Sequence, residues 1–321
     1  MPSKYREEDL TKIKPISIAS RTSKVQVESF IDPENLLTAQ GVTGAAPPLN
    51  TFPDALAGGD LKELAARLQR IRQDNGELLW LTGAHVIKCG LSLVINSLLE
   101  RGFITALAVT GSSAIHDLEL AFFGETSEDV AAELPAGRFG MSGETAGHFN
   151  AACRLAAGNG LGLGEGIGRY IEENEAPSKN YSVFAAAYRN NVPVTVHIAF
   201  GTDIVHQHPD FPAAAAGELT MKDFRIVTAT VGRIFNRGAV VVFGSAVVLP
   251  EVFLKAAAIN YNLGRKPDDV TAAAFDMMSP YRVRENILTR PFQGCGRSYS
   301  FTGHHEIMLP LLYTVLNPRP Q

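Results

Sequence analysis

The most polar cluster that follows an apolar, strand-like run is VTGSSAIHDLE, residues 109–119. Ser112 and Ser113 carry hydroxyls that can donate hydrogen bonds to a ribose or a phosphate. His116 and Asp117 begin the next predicted helix and suit acid–base chemistry, because histidine titrates near neutrality. The alternative is structural: Ser113 caps the helix and Asp117 complements its dipole. Both interpretations of Asp117 stay open, whereas the position of His116 beside the predicted pocket favours function.

A second group of reactive side chains lies in LTGAHVIKCG, residues 81–90. The spacing places His85 and Lys88 in the first turns of a helix after another strand. A lysine there opposes the helix dipole, which favours anions, so we expect Lys88 to meet an anionic ligand. Cys89 is interpreted as a small buried apolar residue rather than a nucleophile.

Two further segments are rich in histidine. HIAFGTDIVHQHPDF (197–211) contains His206 and His208, and TGHHEIMLPLL (302–312) contains His304 and His305 before an apolar helix. In the first we expect a loop that lines a pocket, and in the second one histidine facing the pocket and one facing solvent. Thr302 or Gly303 is the predicted cap of the last helix. A site of two histidines and one carboxylate has weak support, so we predict no metal.

Composition excludes several classes of protein. The chain has 321 residues, of which 45% are apolar and 19% charged, as in ordinary globular enzymes. The net charge of −4 argues against a dedicated nucleic-acid binder. Three widely spaced cysteines form no zinc or disulfide pattern, and no apolar run has signal or membrane-span length. We therefore expect a cytoplasmic protein that acts on a small molecule, without nucleic-acid or membrane partners.

Apolar runs alternate with helix-length segments, which indicates an α/β fold with a Rossmann-like parallel sheet covered by helices on both faces. The predicted strands are 78–82, 104–110, 192–200, 239–243 and 271–275. A helix is predicted over 60–75, with Asp60 as its N-cap, and several helices over 127–174. Prolines interrupt residues 1–60, which we interpret as an irregular N-terminal arm, and residues 61–321 as a single domain.

Glycines directly follow four of the predicted strands, at Gly83, Gly111, Gly201 and Gly244. In an open parallel sheet these turns gather at the carboxyl ends of the strands, where ligands bind. Glycine lets backbone N–H groups approach a ligand, and helix N-termini favour a pyrophosphate. The pattern favours a nucleotide-type cofactor site over the alternative that small residues only permit tight turns.

The stretch GNGLGLGEGIGRYIEE, residues 158–173, is not a dinucleotide-binding motif. Its glycines recur at every second residue rather than as G-x-G-x-x-G, and no strand precedes them. We interpret it as the start of a glycine-rich helix that packs closely on another element.

The chain resembles deoxyhypusine synthase and its bacterial relatives over roughly residues 75–315. The ordered segments that carry the resemblance are LTGAHVIKCG (81–90), VTGSSAIHDLE (109–119), SVFAAAYRNNVPV (182–194), VVVFGSAVV (240–248) and IMLPLL (307–312). The resemblance implies a parallel α/β fold that binds NAD at the carboxyl ends of its strands. It also implies a homotetramer with active sites at dimer interfaces.

In that family NAD takes a hydride from spermidine, and the aminobutyl unit passes through an enzyme lysine to a lysine of a translation-factor precursor. The resemblance places an active-site histidine close to His206 or His208. It places the cofactor contacts on Gly83, Ala84, His85, Lys88, Thr110, Gly111, Ser112, Ser113, Gly201, Thr202, Asp203, Gly244 and Ser245.

Three departures argue against the family's own reaction. The stretch 288–306, where the family has its nucleophilic lysine, contains none, and no lysine follows Lys266. Ile115 and His116 replace part of the acidic pair that holds the polyamine, and FGTD (200–203) replaces an acidic-glycine-serine turn.

We therefore predict an NAD-dependent transferase or oxidoreductase that acts on a polyamine or another small polar metabolite without a lysine imine. His116, Asp117 and one of His206, His208 or His305 would move protons while NAD moves a hydride. Two alternatives stay open: a non-catalytic NAD- or anion-binding protein, and a histidine-based metal-dependent enzyme.

Overall fold

The structure, a computed structural model, describes residues 9–38 and 52–317. Its strands are β1 (Ser23–Gln26), β2 (Leu78–Thr82), β3 (Ala106–Thr110), β4 (Glu125–Glu128), β5 (Val194–His197), β6 (Ala239–Phe243), β7 (Thr271–Asp276) and β8 (Arg297–Thr302). Six of them form a parallel sheet in the order β5-β3-β2-β6-β7-β8, and β1 pairs with β4 in a separate antiparallel ribbon. The predicted fold class is confirmed.

Helices precede or connect these strands. They are α1 (Pro33–Thr38), α2 (Leu56–Gln73), α3 (His85–Lys88), α4 (Ser92–Glu100), α5 (Gly111–Phe123), α6 (Val130–Glu133), α7 (Gly143–Gly158), α8 (Leu163–Glu173), α9 (Val183–Arg189), α10 (Ala213–Ile234), α11 (Val248–Asn262), α12 (Tyr281–Val283) and α13 (His305–Leu316). Single turns of 3-10 helix lie at Leu10–Lys12, Ile18–Ser20, Val27–Ser29, Lys179–Tyr181, Ile204–Gln207 and Arg290–Phe292, and Arg284–Thr289 is π-helical. Within the two described ranges, no helix combines the length and apolarity needed to cross a membrane.

The order of the strands reverses between β2 and β6. From β2 the chain first builds outward through β3 to β5 and then returns to the other side of β2 for β6, β7 and β8. At such a reversal the loops after the two central strands diverge and leave a crevice at their carboxyl ends. We call the space between the loops after β2 and β6 the switch-point crevice.

Both faces of the sheet are covered, which explains why its central strands are continuous apolar runs. On one face Trp80, Phe243, Phe275 and Phe301 stack across four neighbouring strands, with successive ring centroids 5.4, 4.5 and 4.7 Å apart. These rings belong to the cluster that α2, α4, α5 and α13 cover. The other face packs against α10 and α11. The two layers fix the strand ends that form the site.

Several predicted boundaries were wrong. The strand expected over 192–200 ends at His197, because the N–H of Ile198 leaves the sheet and donates to the Thr220 hydroxyl. The helix expected over 60–75 begins at Leu56, so Asp60 lies inside it and Ala55 is the N-cap. Strand β8 was not predicted, because RSYSFT alternates polar and apolar residues at the edge of the sheet.

Part of the arm predicted as irregular is regular. Strand β1 pairs with β4, with Val25 opposite Thr126, and a 3-10 turn precedes it. Helix α1 also lies within this arm, and α2 begins at Leu56 inside it. Residues 1–8 and 39–51 of the predicted arm lie outside the described residues. The ribbon carries the N-terminal segment to the carboxyl end of the sheet, beside α5.

The glycine-rich stretch packs as expected. A Cβ atom on Gly164 would lie 2.0 Å from the Val194 carbonyl oxygen, so α8 touches the backbone at the start of β5. The buried Asp223 carboxylate accepts hydrogen bonds from the N–H groups of Gly164 (3.0 Å) and Val196 (2.7 Å), and burial raises its pKa to about 7. The glycine-rich stretch and the Asp223 carboxylate therefore join α8 to the sheet.

Candidate functional site

A cavity of about 190 Å³ lies where β2, β3 and β5 end. We call it the carboxyl-edge cavity. Helices α3 and α5, the loop after β5 and the end of the β1–β4 ribbon bring side chains of several elements to its wall. The polar residues that line it include Arg21, Lys88, Ser112, His116, Glu119 and Asp203.

Asp203 lies directly against the start of α5. A Cβ atom on Gly111 would be 2.1 Å from Asp203 Oδ2, so only glycine leaves room for the carboxylate there. Burial raises the pKa of Asp203 to about 6. The group is therefore ionised at neutral pH and protonated under mildly acidic conditions.

His116 is held by a hydroxyl group. Its Nδ1 atom lies 2.7 Å from the Thr126 hydroxyl oxygen on β4. Burial lowers the pKa of His116 to about 4, and the neighbouring cations Lys88 and Arg21 add to this effect against Glu119. The ring is therefore neutral at physiological pH.

Behind His116 lies a buried ionic network. The Glu119 carboxylate accepts from the Thr126 hydroxyl (2.5 Å) and the Thr145 hydroxyl (2.8 Å) and forms an ion pair with Arg21 (2.8 Å). Arg21 also lies 3.6 Å from Glu128. The side chains of Arg21 and Glu119 are 1% and 2% exposed, so their charges compensate each other inside the protein.

Lys88 and Asp203 carry the remaining charges of the cavity wall. In the part of the chain that the structure describes, neither side chain forms an ion pair with another residue. The cavity therefore presents one cation and one anion to whatever enters it. This pattern suits a small ligand that carries an amine, an acid group, or both.

The segment after β2, which brings Lys88 to the carboxyl-edge cavity, also forms one side of the switch-point crevice. Gly83 N–H donates to the Phe243 carbonyl (3.0 Å), and a Cβ on Gly83 would lie 3.0 Å from Ser245 N, so the two loops lie side by side where they leave the strands. Gly244 has φ +74°, and its Cβ would lie 3.0 Å from His305 Cε1. The close approach of the two loop backbones at the switch-point crevice resembles that of loops that cradle a dinucleotide.

His305 closes the crevice from the start of α13. Its Nε2 lies 3.2 Å from the Phe275 carbonyl oxygen, whereas Nδ1 is buried and has no hydrogen-bond partner among the described residues. Its ring is 5.6 Å from that of His85. A buried polar atom without a partner is uncommon, and a ligand group in the crevice would supply the partner. The residues present therefore fit a dinucleotide.

One metal-capable cluster also lies here. The ligand atoms of His85, Cys89 and Glu306 are within 4.8 Å of one another, with Cys89 Sγ 3.6 Å from a Glu306 carboxylate oxygen. Burial and the Glu306 charge raise the pKa of Cys89 to about 11. Histidine, thiolate and carboxylate are zinc ligands. The sequence interpretation missed this set because Glu306 lies in a distant segment.

Asp117, expected as an acid or base, points away from the cavity. It is fully buried, and its carboxylate accepts from the N–H groups of Val183 (2.7 Å) and Phe184 (3.4 Å) and from the Ser182 hydroxyl. Burial raises its pKa to about 6. Its geometry matches the structural interpretation, although the helix whose start it binds is α9 rather than α5.

The two histidines after β5 have different surroundings. His206 Nδ1 accepts from the N–H groups of Gly201 (3.2 Å) and Asp203 (3.1 Å), and the ring lines an adjacent cavity of about 530 Å³. His208 is buried, and its Nε2 lies 3.0 Å from the Gly140 carbonyl oxygen. His206 therefore holds the Asp203 loop in place, whereas His208 ties that loop to the segment before α7.

Three details of the sequence interpretation need correction. Helix α3 is a single turn that ends at Lys88, so the argument that this lysine opposes a helix dipole was wrong. The cap of α13 is His304, not Thr302 or Gly303, and it makes no side-chain capping bond. Ser113 does not cap α5: its hydroxyl lies 3.1 Å from that of Thr110, which is the N-cap residue.

Of the two adjacent histidines before the last helix, one is buried and one is exposed, as expected. His305 is buried in the crevice, whereas the side chain of His304 is 60% exposed. The sequence interpretation missed Arg21, Glu119 and Thr126. The only available signal was the spacing of His116 and Glu119, three residues apart and so on one face of a helix.

Comparisons with known proteins agree with this fold. The family model described as "Arginine dihydrolase ArgZ-like, C-terminal, Rossmann fold" matches residues 62–156, which is less than half of the chain. No curated protein matches. The similarity supports a Rossmann fold for the first part of the sheet.

Solved structures resemble the chain at low identity. A conserved putative LOR/SDH protein from Methanococcus maripaludis S2 has a TM-score of 0.53 and 16% identity, over 82% of this chain and 70% of that chain. AgrE, solved as a ternary complex with ornithine and NAD+, has a TM-score of 0.54 and 17% identity, over 80% of this chain and 32% of its own. The chain thus spans about a third of AgrE, and the two similarities show the fold.

A putative deoxyhypusine synthase from Entamoeba histolytica is also similar over 90% of this chain and 94% of its own, with 11% identity and a TM-score of 0.48. That similarity is too slight to assign the chain to the family.

Proposed function

We propose that the chain is an NAD-dependent oxidoreductase or transferase that acts on a small amine-bearing metabolite, of polyamine or amino-acid type, without a lysine imine. One observation carries the proposal: a small cavity has Lys88, His116 and Asp203 in its wall, and Lys88 belongs to the segment after β2 that also forms one side of the switch-point crevice. The crevice would hold the cofactor and the cavity would hold the substrate.

The cofactor assignment is supported by the crevice itself. Gly83, Gly244 and the unpartnered His305 Nδ1 offer close backbone and a free polar atom at the reversal of strand order. Bound NAD would supply a hydride acceptor. AgrE, which was solved with ornithine and NAD+ and of which about a third has a similar fold, adds support.

The substrate class is supported by the charges of the cavity wall. Asp203 is the natural partner of an ammonium group, and Lys88 is the natural partner of a carboxylate. Ornithine in the AgrE complex carries both groups. A polyamine would use Asp203 alone, so the two substrate types differ in what they require of Lys88.

His116 would accept the proton that the substrate amine loses. An amine must lose a proton before the carbon beside it gives up a hydride, and a neutral imidazole in the cavity wall can accept that proton. Asp117 and His208 have no part in this proposal, because their polar atoms are used inside the protein.

Two measurements test the proposal. The first is a calorimetric titration with NAD+, and the second is the absorbance of NADH formed in the presence of ornithine or spermidine. We expect NAD+ to bind, and one of the two amines to produce NADH. Asp203→Asn should abolish NADH formation while NAD+ still binds, and Gly147→Ala, remote from the cavity, should change neither. NAD+ binding without turnover of any amine would favour a non-catalytic binding protein, and no NAD+ binding would overturn the proposal.

The cluster of His85, Cys89 and Glu306 favours a second candidate, a metal-dependent enzyme. Elemental analysis after chelator-free purification, with Cys89→Ser as the comparison, distinguishes the two. Stoichiometric zinc that is lost in the Cys89→Ser protein would support this candidate, and metal-free protein that still binds NAD+ would exclude it.

A further inference from the structure

The hydrogen bonds behind His116 have only one consistent direction. Arginine is always a cation in proteins, and a carboxylate that pairs with it inside the protein can only accept hydrogen bonds, which is the position of Glu119 beside Arg21. The Thr126 hydroxyl lies 2.5 Å from Glu119 Oε2 and therefore donates its single hydrogen there. What Thr126 offers to His116 is then a lone pair.

It follows that the hydrogen of the neutral His116 ring is on Nδ1. Nδ1 lies 2.7 Å from the Thr126 oxygen, which can only accept from it. The other ring nitrogen, Nε2, then carries a lone pair. Because the ring lines the carboxyl-edge cavity, this nitrogen is the group that can take a proton from a ligand.

We propose that Thr126, Glu119 and Arg21 are positioning residues that fix His116 as its Nδ1–H tautomer and so make Nε2 a proton acceptor for the cavity ligand. The tautomer follows from the hydrogen bonds of a neutral ring, whereas its use in catalysis rests on the proposed function.

The proposed step balances simply. The N–H or O–H bond of the substrate breaks, its electron pair stays on the substrate, and the proton bonds to His116 Nε2. The ring becomes an imidazolium that still donates from Nδ1 to Thr126. The buried Glu119 charge lies one hydroxyl away and stabilises the new cation, as a carboxylate does behind a catalytic histidine.

The orientation of Glu119 makes a sharp test. Oε1 lies 2.8 Å from the positive Arg21 guanidinium and accepts from the Thr145 hydroxyl, and Oε2 faces Thr126. In Glu119→Gln the amide oxygen should take the Oε1 position, which leaves the NH2 group facing Thr126. The Thr126 hydroxyl would then accept from the amide and donate to His116 Nδ1, so the ring hydrogen would move to Nε2.

The readout is the pair of His116 ring nitrogens in long-range proton–nitrogen spectra of histidine-labelled protein at pH 7. We expect Nδ1–H in the unaltered protein, Nε2–H in Glu119→Gln, and a mixture in Thr126→Val. Thr126→Ser, which keeps the hydroxyl, should restore Nδ1–H. An Nε2–H ring in the unaltered protein, or the same tautomer in all four proteins, would overturn the inference.

A second buried threonine–histidine pair provides the matched control. Thr195 lies 3.0 Å from His197 Nε2, and His197 is likewise buried with its pKa lowered to about 4, but it does not line the cavity. Thr195→Val should move the His197 signals only. Where an amine substrate is turned over, Thr126→Val and Glu119→Gln should lower kcat by about 100-fold with KM little changed. Predicted tautomers without turnover would leave the inference standing and remove the proposed function.

Discussion

Glycines serve two regions of this molecule in opposite ways. Between residues 162 and 168 they recur at every second residue, yet the space that a side chain would need is filled by the protein's own framework, such as the Val194 carbonyl beside Gly164. At the strand ends they are isolated, and the space beside them holds groups of the candidate site: Asp203 beside Gly111 and His305 beside Gly244. The element that precedes a glycine is therefore more informative about function than the density of glycines.

The largest effect that we expect is a loss of stability, and it tests the packing role of the glycine-rich stretch. Gly164→Ala places a Cβ 2.0 Å from a carbonyl oxygen of β5, which cannot move without shifting the strand. We expect a loss of about 3 kcal/mol in the free energy of unfolding, measured by denaturant titration. The protein that remains folded should bind NAD+ with unchanged affinity. A Gly164→Ala protein of normal stability would contradict the packing role.

The next effect is on ligand binding. Gly111→Ala places a Cβ 2.1 Å from Asp203 Oδ2, and a side chain can move where a strand cannot. We expect a loss of about 1 kcal/mol in stability but at least about a tenfold weaker affinity for an amine ligand, by calorimetry. Unchanged amine affinity would mean that the strand-end glycines, too, serve packing alone.

The pH dependence of amine binding is of similar size. The pKa of Asp203 is raised to about 6, so its negative charge is present above pH 6 and is lost as the pH falls through that value. The affinity for an amine should fall about tenfold between pH 7 and pH 5. His116 contributes no charge in this range, because its pKa is about 4. In Asp203→Asn the step should disappear; a step that persists would assign it to another group.

The smallest effect separates packing from helix propensity. Gly147 lies inside α7, and a Cβ there would have no atom within 4 Å among the described residues. Gly147→Ala should therefore raise the free energy of unfolding by up to about 1 kcal/mol, and ligand binding should not change. A destabilised Gly147→Ala protein would show that glycines in this half of the chain have a role beyond close contact.

The central strands were predictable because strands buried on both faces are continuous apolar runs, as LLWLT and AVVVF show. Strand β8 was not, because an edge strand alternates. The cavity position of Lys88 was anticipated from an argument about a helix dipole that the single turn of α3 does not support. Asp117 shows the other limit: whether a polar residue at a helix start faces the cavity or the core depends on the rotation of the helix.

The network behind His116 was beyond sequence reasoning for a different reason. Arg21 precedes β1, Glu119 lies on α5 and Thr126 on β4, and only the pairing of β1 with β4 brings them together. The register of that ribbon depends on tertiary contacts that no local pattern in the chain specifies.

The distance in sequence between Arg21 and Glu119 has a consequence for synthesis. The arginine leaves the ribosome first, and its partner follows about 100 residues later, at about 5–20 residues per second. For roughly 5–20 s the nascent chain therefore carries an N-terminal segment whose partners on α5 and β4 have not been made. The charge that completes the network is translated before its partners, yet we expect it to be among the last groups to reach its place.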